Sequence, residues 1–296
     1  MNSLPALQER FFFLAKRFVA GETVDDAIGA VQRLNDLGML ATIDFLGEDV
    51  HRKDDALAVR AEYLRLLDAL ADAGALSNIS LKLTALGLLV DRDFCVENLT
   101  AILDRAANSA TARAPVDPFV RIDMEGSALT DATLGVFESV FPRHPNVGVV
   151  LQAYLHRTPA DVARMVELGA RVRLCKGAYK EPAAIAFKEM AAIRREFVKL
   201  AETLLSRGNR PAIATHDERI QTAVKALALQ HGIGKDTFEF QMLYGVRPDL
   251  QRKLVAEGYT VRVYVPYGTH WAAYFYRRVT ERRENALLAL RALVGR

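Results

Sequence analysis

Eight short runs of β-branched and aliphatic residues recur along this chain, at 41–46, 78–83, 119–124, 147–153, 171–175, 212–215, 237–243 and 260–265. Between them lie longer stretches with helical periodicity, among them 57–73, 94–112, 183–207 and 218–231. Two further helices are expected ahead of the first run, at 4–19 and 23–37, the second with Thr23 as N-cap and Asp25 and Asp26 in its first turn. Eight strands each followed by a helix, in about 250 residues, is the arithmetic of a (β/α)8 barrel. An open doubly wound sheet would normally place a glycine-rich phosphate turn after its first strand. Here that strand runs into Phe45-Leu-Gly-Glu-Asp49, and Gly232-Ile-Gly-Lys-Asp236 has neither the spacing nor the Ser or Thr of a phosphate loop. The expected organisation is a single α/β barrel domain over 1–296, with 1–38 as a helical extension and 39–296 as the barrel. A last helix at 269–294 is longer than a barrel requires.

Composition removes several classes. With 39 basic and 36 acidic residues the net charge is +3, too small and too evenly scattered for a nucleic-acid surface. Cys95 and Cys175 belong to no CxxC or CxxH pair, so neither a disulfide framework nor a zinc site is expected, and a reducing cytoplasm fits. The apolar run 11–20 is broken by Lys16 and Arg17, which argues against a signal peptide, and no window reaches the length of a membrane span.

A barrel places its chemistry at the C-terminal ends of its strands. Seven of the eight runs end in polar or charged groups: Lys82, Asp123, Gln152, Arg173, Thr215 with His216, Gln241, and Tyr264. A buried Lys alone would read as a structural ion pair; seven strands in agreement point to a shared polar cavity. On the last helix Tyr274, Arg277, Arg278 and Glu281 share a face beside Trp271, Phe275 and Tyr276, and paired guanidiniums among aromatic rings suit a carboxylate or phosphate. Arg282, Arg283 and Glu284 read as a solvated face. Zinc-hydrolase and GxSxG patterns are missing, Glu125 lies two residues from Asp123 and so could face the same side, and Cys175 reads as packing rather than as a nucleophile. These residue types suit a bound anion and something large, a flavin or a phosphorylated sugar, and composition does not choose between them.

The motifs Ile79-Ser-Leu-Lys-Leu-Thr-Ala-Leu86, Arg121-Ile-Asp-Met-Glu125, Leu151-Gln-Ala-Tyr154, Val172-Arg-Leu-Cys-Lys-Gly-Ala-Tyr179, Ile213-Ala-Thr-His-Asp217, Phe238-Glu-Phe-Gln-Met-Leu-Tyr-Gly245, Tyr264-Val-Pro-Tyr-Gly-Thr-His270 and Tyr274-Phe-Tyr-Arg-Arg278 together resemble those of the proline dehydrogenases. The resemblance runs from about residue 40 to 285 in the family's order. It implies a distorted (β/α)8 barrel with its last helix over the mouth and FAD bound noncovalently at the strand ends. It implies that Arg277, Arg278 and Lys82 grip the carboxylate of L-proline, with Tyr264, Leu243 and Tyr274 against its ring. Arg173 then matches the arginine at the flavin N5, Asp123 is the strand-three aspartate, and Gln152 contacts the isoalloxazine. Met124, Lys176, Gly177, Ala178, Thr215 and His216 match further flavin contacts; Gln241 belongs to the same set, and Glu281 orders the last helix or touches the cofactor.

The reaction implied is oxidation of L-proline to 1-pyrroline-5-carboxylate by hydride transfer to flavin N5, the first step of proline catabolism to glutamate. Electrons would pass to a membrane quinone and the product to a separate pyrroline-5-carboxylate dehydrogenase, since the chain has no room for the aldehyde dehydrogenase domain of the long bifunctional forms. Phe11-Phe-Phe-Leu14 with Lys16 and Arg17 could rest on a lipid surface, although packing on the barrel is the simpler expectation. Two other readings stay open from the residues: a Schiff-base aldolase using Lys82 or Lys176, and a flavin- or proline-binding sensor without turnover.

Overall fold

The computed structural model describes residues 15–109, 118–272 and 274–275. The chain runs α1 (Val24–Asp36), β1 (Leu40–Phe45), α2 (Lys53–Asp72), β2 (Ser77–Leu81), α3 (Arg92–Ser109), β3 (Val120–Ile122), α4 (Thr130–Val140), β4 (Val147–Gln152), α5 (Thr158–Glu167), β5 (Arg171–Cys175), α6 (Met190–Arg207), β6 (Ala212–Ala214), α7 (Glu218–Gln230), β7 (Glu239–Leu243), α8 (Pro248–Ala256) and β8 (Thr260–Tyr267). All strand pairs are parallel, and β1 pairs with both β2 and β8, so the sheet closes into an eight-stranded barrel in sequence order. The expected (β/α)8 architecture is therefore the observed one.

Local sequence explains the elements. Thr23 and Asp26 form a reciprocal capping box at the start of α1. Asp217 caps α7 by accepting from the Arg219 N–H, and prolines open α5 and α8, where a missing N–H costs nothing. Along the strands alternate side chains face outward: Ile43, Ile79, Leu81, Ile122, Val149, Leu174, Phe240 and Val263 are buried against the helices as one continuous core.

The barrel interior departs from the usual filling of branched aliphatic layers. Side chains on strands that are not neighbours meet there: Arg173 of β5 reaches Ser80 of β2 and Gln241 of β7, and Tyr264 of β8 reaches Asp123 beyond β3. Lower in the barrel Arg262 ion-pairs with Glu239, and the Arg121 guanidinium stacks on Phe119 while donating to the carbonyls of Val149 and Arg171. Gly148 makes room for it, because a Cβ there would lie 2.8 Å from Arg121 Nη1 and would overlap the Arg171 carbonyl oxygen.

Some boundaries differ from the sequence reading. The helix expected over 183–207 begins only at Met190: 183–185 make a turn closed on the Pro182 carbonyl, then Ala186 bridges antiparallel to Leu155 and the Phe187 N–H donates to the Tyr154 carbonyl, which holds the chain out of a helix. Strand β3 stops at Ile122, so the two-residue period that placed Glu125 beside Asp123 no longer applies. Glu125 instead turns to Thr84, accepting from its hydroxyl at 2.7 Å. Of the helix expected over 4–19 only 15–19 is described, as a single turn in which the Phe18 and Val19 N–H groups donate to the Ala15 carbonyl; residues 4–14, those after Ser109 in the 94–112 helix, and the expected last helix beyond 275 with Arg277, Arg278 and Glu281 lie outside the described residues.

Candidate active site

The C-terminal ends of the strands surround a cavity of about 520 Å³. Lys82 and Asp123 follow β2 and β3, Gln152 ends β4, and Lys176, Gly177 and Ala178 follow β5; Thr215 and His216 follow β6, and Leu243 ends β7. With Met124, Arg173, Gln241, Tyr264 and Tyr274, they all line this one space, so every described residue expected from sequence to touch substrate or cofactor is brought to the same place, while Glu125, Trp271 and Phe275 are not among its lining. The segment 119–124 and the strand ends contribute because parallel strands all finish at the same mouth of the barrel.

Arg173 makes three side-chain hydrogen bonds. Its Nη1 donates to Asp123 Oδ1 at 2.7 Å, its Nη2 to Ser80 Oγ at 3.0 Å, and its Nε to Gln241 Oε1. Asp123 accepts a second bond from the Tyr264 hydroxyl at 2.9 Å, and the guanidinium lies 5.5 Å from the centre of that tyrosine's ring. Burial and the neighbouring Asp123 carboxylate drive the Tyr264 hydroxyl well above the ordinary tyrosine range, so it remains a donor.

Beside this cluster Lys82 Nζ pairs with Asp44 Oδ2 at 3.1 Å, both groups buried. Burial works against the ammonium, but Asp44 and Asp123 outweigh it and hold Lys82 above its ordinary value, as a cation. Asp44 was not singled out from sequence. Its signal is a lone carboxylate in an otherwise uncharged strand, two residues from Thr42 and therefore on the same side.

His216 has a definite orientation: its Nε2 accepts from the Leu243 N–H at 2.9 Å, tying the end of β6 to the end of β7. Gln152 donates to the Glu125 carbonyl at 2.9 Å. Lys176 Nζ lies 3.5 Å from Asp217 Oδ2, which also accepts from Arg194 Nε at 2.8 Å; burial opposes the Asp217 carboxylate, but these cations hold its pKa below the ordinary range. Cys175 also lines the cavity, yet burial pushes its thiol up to about 11, which fits packing rather than nucleophilic attack. Tyr154, Tyr179 and Met190, not singled out beforehand, complete the apolar part of the wall.

The arrangement offers a fixed cation, a rigid guanidinium and aromatic surface around one concave space, which suits an anionic substrate with an apolar body. Among the described residues no His, Cys, Asp or Glu side chains converge in threes as metal ligands.

Comparison with known proteins bears on the same residues. The family model described as "Proline dehydrogenase" matches residues 27–288. Proline dehydrogenase 1 of Bacillus subtilis (strain 168) is 41% identical over 280 residues, covering 95% of this chain and 90% of the relative. The proline dehydrogenase of Deinococcus radiodurans is 39% identical over 292 residues, covering 97% and 92% respectively. Among solved structures, proline utilization A (PutA) from Bdellovibrio bacteriovorus inactivated by N-propargylglycine superposes with a TM-score of 0.86 at 26% identity; it covers 95% of this chain, which spans 34% of that larger one. A family match over 27–288 and relatives about 40% identical over most of the chain make this closed parallel barrel a member of the proline dehydrogenase family, and it is an enzyme of that activity.

Proposed function

We infer that the mouth cavity binds FAD noncovalently together with L-proline, and that the chain oxidises proline to 1-pyrroline-5-carboxylate. The observation that carries this reading is the convergence of Lys82, Arg173, Gln152, Lys176 and Tyr264, from four different strands and the turns after them, on one cavity. The donor set fits a flavin. Lys176 offers a cation at the rim for a phosphate, and Gly177, with φ of +111°, leaves backbone bare where a Cβ would collide with the Tyr154 ring. Val150, Ala214 and Met242 provide flat apolar surface in the same space.

When bound, FAD supplies the two-electron acceptor to which the hydride from the ring carbon beside nitrogen is delivered. The chain's residues do the rest by position. Lys82, together with Arg277 and Arg278 as the resemblance implies, holds the proline carboxylate, the ammonium offering donors beyond the one given to Asp44. The Tyr264 ring, with Leu243 and Tyr274, faces the apolar ring of the substrate and limits how it can turn. Arg173, clamped on three sides, presents a fixed positive charge where negative charge builds up as the substrate is oxidised. The substrate amine must lose its proton before its neighbouring carbon gives up hydride, so the rate of the reductive half-reaction rises with pH.

In this reading the oxidised product leaves for a separate pyrroline-5-carboxylate dehydrogenase and electrons leave for quinone at a membrane surface. No helix among the described residues is long and apolar enough to cross a membrane.

The test is an anaerobic visible spectrum before and after L-proline. Bleaching of a flavin band near ~450 nm supports both cofactor and substrate. A yellow protein unchanged by proline overturns the substrate, and a colourless one that cannot be reconstituted with FAD overturns the cofactor.

A further inference from the structure

Arg173 is connected to the opposite end of the barrel. Below its contact with Gln241, the Gln241 Nε2 donates to Glu239 Oε1, and Glu239 accepts from Arg262 Nε at 2.9 and 3.1 Å. Arg262 is anchored in turn by donating to the Ala41 carbonyl at 2.8 Å. All four side chains are buried, and Glu239 and Arg262 border a second cavity of about 250 Å³ at the N-terminal mouth. None of the motifs that point to the active site assigns a role to this lower pair.

We propose that Glu239, held by Arg262, is a positioning residue for Arg173, acting by fixing which end of the Gln241 amide faces the guanidinium. The chemistry of the three groups allows one arrangement only. A guanidinium Nε–H can donate and never accept, and a carboxylate accepts and never donates. An amide lying between them satisfies both only with its oxygen toward Arg173 and its nitrogen toward Glu239. Glu239 thus selects one of two nearly isosteric orientations of Gln241. Arg262 keeps the carboxylate charged and in place: burial opposes the charge, but Arg262 and the bond from Gln241 hold the Glu239 pKa at about 2. The third side of the Arg173 clamp is therefore set by residues at the far end of the barrel. The functional part of this inference rests on the reading that Arg173 faces the flavin; the structural part does not.

Glu239 Oε1 accepts from both Gln241 Nε2 and Arg262 Nε. Glu239→Gln therefore keeps one amide oxygen for both donors and is the conservative variant that preserves the relay. Glu239→Met removes that acceptor at similar length, so the Gln241 amide loses the lower partner that holds its oxygen on the Arg173 Nε–H.

The experiment is nuclear magnetic resonance of arginine Nε–H groups on the full chain as purified, with Arg173 assigned through Arg173→Lys. The expected result is hydrogen exchange of the Arg173 Nε–H faster by about ten-fold in E239M, and as slow as in the natural chain in E239Q. Steady-state kinetics of the flavin-loaded enzyme are expected to show kcat for proline about ten-fold lower in E239M with KM changed less than about two-fold, because the carboxylate clamp is untouched. Unchanged exchange in E239M, or exchange in E239Q as fast as in E239M, overturns the proposal and leaves Glu239 a wall residue. Should E239M fail to fold, Glu239→Met with Arg262→Met, which leaves no buried charge unpaired, must accelerate the same exchange or the proposal falls. Absence of flavin from every variant would refute the cofactor reading, while the exchange data would still decide the relay.

Discussion

Lys82 and Asp44 show how single buried charges make this site both possible and costly. Neither would remain charged in the interior without its partner, and the pair tolerates burial because the 3.1 Å contact and nearby hydrogen bonds replace lost water. Removing one member alone is the expensive change. Lys82→Met is expected to lower unfolding stability by about 3 kcal/mol, because Asp44 loses its cation and must be buried either unpaired or protonated. Adding Asp44→Asn should recover most of that loss in urea unfolding, while the Michaelis constant for proline stays raised by about ten-fold or more in both, since the ammonium is gone. A double variant as unstable as the single one would show that the pair does not act as a unit. The polar strand ends were legible in the sequence because each interrupts an apolar run. Asp44 and Glu239 were not, because a lone carboxylate in a strand gives no sign of which partner will neutralise it.

Among the elements, the connection between β5 and α6 carries much of the site. It places Lys176, Gly177 and Ala178 at the rim, and then turns at 183–185 and bridges from Ala186 to Leu155 before the helix begins at Met190. Gly177 is required twice over: its φ of +111° is one that L side chains rarely adopt, and the Tyr154 ring occupies the place of a Cβ. Gly177→Ala should destabilise the fold by about 2 kcal/mol or more and weaken flavin retention, read by urea unfolding and by the flavin absorbance remaining after gel filtration. Unimpaired retention with unchanged stability would mean that this loop can shift without consequence. Sequence placed all eight strands because their outward faces are largely apolar, aliphatic on most strands with Phe240 on β7. It overextended the helix at 183–207 because helical periodicity continues through Ala183, Ile185 and Ala186, and nothing local reveals that Leu155 will bridge to Ala186.

Across the whole molecule, the interior charges link stability to acid. Glu239 has a pKa of about 2 in the folded protein against an ordinary value of 4.5, and burial opposes this shift while Arg262 drives it. A depressed carboxylate contributes stability that is fully present above about pH 4.5 and is lost as pH falls through about 2. The loss amounts to up to about 3 kcal/mol, with a slope approaching about 1.4 kcal/mol per pH unit. Urea unfolding followed through that window should show a slope shallower by about one proton in Glu239→Gln than in the natural chain. Identical slopes would mean that Glu239 is not held ionised in the fold.

The sequence by itself determined the barrel, the order of its strands and the mouth at which its polar residues gather. Those follow from hydrophobic periodicity and from the rule that parallel strands finish at one end, both of which are local or topological. What only the tertiary structure decided is which interior groups pair: Lys82 with Asp44, Arg173 with Asp123, Ser80 and Gln241, and Glu239 with Arg262. The reason is physical. Each pair joins different strands, and the choice among several possible partners is made by distance and desolvation inside the closed barrel, quantities that no single strand contains.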